Sequence, residues 1–327
     1  MWLALLGFLL SGYFVLGGYD YGTQLLYPFV TRSERERRTV RGALGPFFFG
    51  NEVWLVAFAG VLFGAFPFLE GELLSGLYPL LVTVLLGLVV GKAAVQLRGR
   101  MTGAAARRLW DALIVIGGVV PAAGWGMVAG VLLHGVPVRS DGTYALDWSS
   151  VVNPFVLLAG LSGVLLLGAH GAAFLSIRVG GLATQRIQRA VRPLLCAAVV
   201  AVAVTVASAR DTAITEPWVA LALASVLITA LLAGLVAATR GRYALAFAAT
   251  SIAAALPVPL IGAGLHPYLL VSAVRQGITV THAAADSATL TVLLPLAAVI
   301  VPIILAYQVW SWRLFRGRVE DRTLGYF

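Results

Sequence analysis

Gly45-Pro-Phe-Phe-Phe-Gly-Asn-Glu-Val-Trp-Leu55 sets a carboxamide and a carboxylate, Asn51 and Glu52, at the mouth of an apolar run and just downstream of Arg32, Arg35, Arg37, Arg38 and Arg41. Pro46 and Gly50 interrupt any helix arriving from upstream, and the run after Glu52 is apolar enough to enter lipid. A carboxylate at such a point is costly, which makes it a functional candidate by default. Asn at a helix start and Glu in a first turn also serve ordinary capping and the helix dipole. Both readings stay open at the level of sequence.

Working outward, similar runs of about 17–25 apolar residues recur along the 327-residue chain, each long enough to cross a hydrocarbon core roughly 30 Å thick. The chain is 60% hydrophobic and 11% charged, and its mean hydropathy is +0.93. Those values exclude an ordinary soluble domain and predict an all-α polytopic membrane protein forming one integral membrane domain over 1–327. Nine spans are expected, near 2–28, 51–69, 74–97, 109–133, 153–177, 193–209, 217–238, 243–265 and 289–313. The first begins at Met1-Trp2 with neither a basic leader nor a small-residue cleavage site, so it reads as a retained helix. Glycines at Gly87 and Gly91, at Gly126 and Gly130, and Gly168 with Ala172 mark expected close helix contacts.

The formal charge of +9 does not point to nucleic acid, because the arginines concentrate in alternate loops. Those after spans one, three, five and seven, together with the tail holding Arg313, Arg316, Arg318 and Arg322, are arginine-rich. The intervening loops mix acids with few arginines, among them Glu70 and Glu72, Asp141 and Asp147, and Arg275 with Asp286. The positive-inside rule then puts the amino terminus outside and the carboxy terminus in the cytoplasm.

Few residues within the spans can carry chemistry. Asp20 shares a helix face with Tyr13 and Gly17 and needs a partner, a water-filled cavity or a proton; it reads either as a proton-relay group or as a structural acid. Asp111 opens span four and Gln96 closes span three, where a carboxamide can hydrogen-bond but cannot carry a proton as an acid does. Of the four histidines, His170 alone lies within a span, and no pair has ligand spacing. The single cysteine, Cys196, rules out an internal disulfide and reads as a small packing residue. No catalytic, haem-attachment or phosphate-loop motif occurs, so no metal or cofactor is expected on this chain.

The blocks Leu16-Gly-Gly-Tyr-Asp-Tyr-Gly22, Gly45-Pro46 with Gly50-Asn-Glu-Val-Trp-Leu55, and Leu62-Phe-Gly-Ala-Phe-Pro67 resemble subunit II of the cytochrome bd quinol oxidases. The similarity continues through Leu109-Trp-Asp111, Asn153-Pro-Phe155, Thr281-His-Ala-Ala284 and Val301-Pro-Ile-Ile-Leu-Ala-Tyr-Gln308, in order over nearly the whole chain. The resemblance implies two four-helix bundles plus a peripheral helix in the bacterial cytoplasmic membrane. It further implies a partner, subunit I, that carries the haems and oxidises quinol, with room for small accessory subunits. This chain would then scaffold that partner, contribute to a proton route and bind a quinone or lipid. The proton-path and polar-network candidates are Asp20, Asn51, Glu52, Gln96 and Asp111.

Two positions depart from the pattern. The family usually reads Gly-Pro-x-Trp-Asp-Gly-Asn where this chain has Gly45 to Asn51, so Phe49 stands in place of an acid implicated in proton transfer. Gln96 likewise replaces an acid at the end of span three. The alternatives are a proton- or solute-coupled secondary transporter, for which no internal repeat is visible, and a purely structural paralogue.

Overall fold

A computed structural model of the chain describes residues 1–45, 47–272 and 277–319, apart from the side chain of Leu182. Pro46 of the opening motif, Arg275 and Arg322 lie outside the described residues. In chain order the helices begin with α1 (Trp2–Val30), α2 (Glu34–Leu44), α3 (Glu52–Ala65), α4 (Pro67–Gly76), α5 (Tyr78–Leu97) and α6 (Ala104–His134). There follow α7 (Trp148–Val151), α8 (Pro154–Arg178), α9 (Thr184–Ala207), α10 (Pro217–Thr239), α11 (Tyr243–Ala255) and α12 (Pro257–Gly264). A short antiparallel hairpin, β1 (Tyr268–Val271) and β2 (Gly277–Thr279), precedes α13 (Val280–Ala283) and α14 (Ser287–Leu314).

Among the described residues eight helical stretches are long and apolar enough to cross a membrane, with α11 and α12 counted together. The bent pair α3–α4 makes nine if it counts as one span. That pair corrects the straight span expected at 51–69: the chain turns by 119° between α3 and α4. The turn falls on Phe66 (φ −136°, ψ 56°). Pro67 supplies the reason, since it has no N–H to donate and disfavours helical geometry in the residue before it. The freed Ala65 carbonyl accepts from Ala285 N–H at 2.9 Å.

Two further boundaries move. The segment read as a loop after α1 contains α2, started by a capping box in which Ser33 accepts from Glu36 N–H and the Glu36 carboxylate accepts from the Ser33 N–H. Helix α9 begins at Thr184 rather than near 193; Ile187, Val191 and Leu195 bury one side of its first turns, which leaves the arginines to the other. Cys196, which the sequence suggests as a small packing residue, follows Leu195 on this helix and is exposed on the surface of the chain.

The helices fall into two groups, α1, α3, α5 and α6 on one side and α8 to α12 on the other, joined where α1 and α6 meet α8. Glycines allow that junction. A Cβ on Gly22 of α1 would stand 2.0 Å from the Leu167 carbonyl of α8, and Gly171 lies directly opposite. Gly91 of α5 faces Gly117 of α6 in the same way. On α8 it is Gly171, not the expected Gly168, that makes the tight crossing. Helix α14 is peripheral, packing on α3 and burying only Ile304, Gln308 and Ser311.

Candidate functional site

The polar heart of the first group is built around a residue that loop charges had obscured. Lys92 is the only lysine in the sequence and is buried on α5, one residue after the Gly91–Gly117 crossing. Its ammonium lies 3.1 Å from Asp20 Oδ2 and 2.9 Å from Glu52 Oε1. It also donates to the Phe48 carbonyl at 2.5 Å and sits 3.6 Å from the centre of the Phe48 ring. One cation thus ties α1, α3 and the turn before α3 to α5. A cation held this way meets both requirements of a charge in hydrocarbon, an ionic partner and hydrogen bonds.

Asn51 completes the cluster. It is fully buried and does not cap α3. Its Nδ2 donates to the Leu16 carbonyl at 3.0 Å, to Tyr19 OH at 3.0 Å and to Asp20 Oδ2 at 3.1 Å. The capping reading for Asn51 therefore gives way to a bridge between α3 and α1. Glu52 does lie in the first turn of α3, but its carboxylate pairs with Lys92. Asp20 is 0% exposed, and its Oδ1 has no hydrogen-bond partner among the described residues. Glu52 differs, because its side chain keeps 22% of its exposure. Phe49, beside it, is 56% exposed and points out of the chain.

The remaining candidates lie elsewhere. Gln96, one turn beyond Lys92, is half-buried, and its side chain makes no hydrogen bond among the described residues. Asp111 belongs to a second network just past the C-terminal end of α5, where Arg98 Nε reaches its Oδ1 at 2.8 Å and Arg37 Nη1 its Oδ2 at 2.5 Å. Arg98 also donates to Glu34 Oε1 at 2.8 Å, so this network latches α2 onto α5 and α6. Hydrogen bonding from Arg98 holds the Glu34 carboxyl below the usual carboxylate range. Glu36 is also held low: burial works against its charge, but bonds from the Arg32 and Ser33 backbone and from Arg186 prevail.

His170 is a cross-link. Its Nδ1 pairs with Thr250 Oγ1 at 2.9 Å, its Nε2 with the Val15 carbonyl at 2.8 Å, and its ring stacks on Phe247 at 5.0 Å. Among the described residues no three His, Cys, Asp or Glu side chains converge as a metal-binding group. At the opposite end of the bundle from Lys92, an apolar cavity of about 1260 Å³ opens between α1, α6, α8, α10 and α12. Leu6, Phe14 and Trp125 line it, and Arg210, Glu216 and His266 stand among its polar residues.

Residues 1–315 match the family model described as cytochrome bd terminal oxidase subunit II. Cytochrome bd ubiquinol oxidase subunit 2 of Bacillus subtilis (strain 168) is 29% identical, the match covering 98% of this chain and 97% of the relative. Cytochrome bd-I ubiquinol oxidase subunit 2 of Escherichia coli (strain K12) is 30% identical, with 99% and 96% covered. Among solved structures, the bd oxidase from Geobacillus thermodenitrificans superposes with a TM-score of 0.75 over 96% of this chain and 97% of that one, at 17% identity, a likeness of fold alone.

Proposed function

Since the chain belongs to the cytochrome bd terminal oxidase subunit II family, we propose that it is the haem-free membrane subunit of a bd-type quinol:oxygen oxidoreductase. In this reading it pairs with a haem-bearing subunit I in the bacterial cytoplasmic membrane and supports proton delivery to it. The match over residues 1–315 carries the assignment. The amino terminus faces outward and the arginine-rich loops inward, following the charge asymmetry of the sequence.

Reduction of oxygen to water consumes protons as well as electrons, so a bd-type complex needs a proton supply. The Asp20, Asn51, Glu52 and Lys92 cluster is the group in this chain best suited to help. It is largely buried and hydrogen-bonded, and Glu52 is its most exposed member. Gln96 stands one turn away on the side of the Asp111–Arg98 network, in the direction from which cytoplasmic protons would come. Phe49 has no acidic proton to exchange, and its outward orientation keeps it out of the cluster. The apolar cavity suits an isoprenoid tail or acyl chain, its few polar residues facing a head group.

Gentle purification of the tagged chain tests the proposal. A haem-containing membrane partner should co-purify, and the complex should take up oxygen when given quinol. A chain that purifies without such a partner, or a complex inert toward quinol, overturns it.

A further inference from the structure

We infer that Asp20, Glu52 and Lys92 hold one exchangeable proton between them, shared by the two carboxylates across a fixed ammonium. The inference deepens the proton-delivery reading and rests on it for the site's use in turnover. Lys92 Nζ stands 3.1 Å from Asp20 Oδ2 and 2.9 Å from Glu52 Oε1. With both acids ionised the cluster would carry two negative charges against one positive, and two of the three groups, Asp20 and Lys92, are buried.

Among the described residues the surrounding elements supply no second cation to either carboxylate. On α1, Tyr13 and Tyr21 join through their hydroxyls and Tyr19 bonds to Asn51. On α8, His170 is engaged by Thr250 and Val15, while Arg178 Nη1 bonds to the carbonyls of Phe315 and Gly317. No other cation pairs with either carboxylate among the described residues. An uncompensated charge in a low-dielectric interior is strongly disfavoured, and taking up one proton removes it. Asp20 Oδ1, fully buried and without a partner among the described residues, is an atom that can carry that proton.

Transfer outward breaks an O–H bond at Asp20 and forms one at Glu52. The closer ionic contact of Lys92 passes in the opposite sense, and the cluster is neutral before and after. Glu52, with 22% of its side chain exposed beside the outward-facing Phe49, is the end from which the proton leaves.

Infrared difference spectra of the intact two-subunit complex, recorded in H2O and D2O, test this by counting protonated carboxyl groups. The native complex should show one deuterium-sensitive carboxylic band that both Asp20→Asn and Glu52→Gln remove, because either amide leaves a balanced ion pair. Lys92→Met should add a second band. If either amide keeps the band, or the native complex lacks it, the inference falls; the two near-isosteric amides decide the matter even if Lys92→Met does not accumulate. If the amides remove the band while quinol-driven oxygen uptake is unchanged, the shared proton stands and the delivery reading falls.

Discussion

The ammonium of Lys92 lies 3.1 Å from Asp20 Oδ2, joining two helices through residues 72 positions apart in the chain. The two partners are unequal. Replacing Asp20 with Asn leaves Lys92 its contact with Glu52, whereas replacing Lys92 with Met leaves both acids without their cation. Lys92→Met is expected to destabilise the chain by about 3–5 kcal/mol, as for other broken buried pairs, and Asp20→Asn by about 1–3 kcal/mol. The double variant should recover part of the Lys92→Met loss. Survival of the monodisperse complex after graded heating in detergent measures all three.

Phe49→Asp tests whether the departure from the family pattern can be reversed locally. The side chain at this position is turned outward, so the new acid does not enter the Lys92 cluster. Oxygen uptake should change by less than about twofold, whereas Glu52→Gln should lower it by roughly a hundredfold, the lower range for removing a positioned proton-transfer group. Equal effects from the two variants would contradict the assignment of Glu52.

Gly22 and Gly171 set the separation of α1 and α8. Because a Cβ at Gly22 would meet the Leu167 backbone carbonyl at 2.0 Å, no side-chain rotation relieves the clash. Gly22→Ala should cost about 1–3 kcal/mol, whereas Gly7→Ala, with nothing within 4 Å of the added atom, should be silent in the same heating assay.

The α2 latch should respond to acid. The carboxyls of Glu34 and Glu36 are depressed by their hydrogen bonds, Arg98 acting on the first and the Arg32 backbone with Arg186 on the second. A depressed acid contributes stability that is complete above its unfolded value, about 4.3 for Glu, and is lost as pH falls through its folded value. Protection of the amides in residues 34–44, measured against the intrinsic exchange rate at each pH, should therefore be constant above about pH 5 and fall below the normal Glu range.

Cys196 offers a simple control. It is exposed on α9, so Cys196→Ser should shift stability by no more than about 0.5 kcal/mol. A larger loss would mean that the residue is packed in the assembled complex.

The spans were readable because lipid demands long apolar helices whatever their neighbours, and the family blocks carried Asp20, Asn51 and Glu52 with them. Lys92 was hidden for a physical reason. One lysine barely alters the hydropathy of a 20-residue helix, and its partners come from other elements, Phe48 and Asp20 lying 44 and 72 positions away. Its rarity was the available signal, since a lone intramembrane cation calls for a partner.

Local signals were present for α2 and for the turn at Phe66, in Ser33 to Glu36 and in Pro67. Arginine-rich composition masked the first, and averaging over an apolar window masked the second. The orientation of Cys196 was less accessible still, because the part of α9 after Pro193 is apolar all round and offers no polar stripe from which to read its facing.

The bend after Ala65 has a consequence for the surrounding bilayer. Helix α3 has 14 residues and α6 has 31, or roughly 21 Å and 46 Å at 1.5 Å per residue, so the hydrophobic perimeter is uneven. Lipids beside α3 must thin, or a neighbouring subunit must fill the deficit, at a cost that grows with every ångström of mismatch. Membrane thickness, and hence acyl-chain length, thereby becomes a variable to which this side of the protein is more sensitive than the rest.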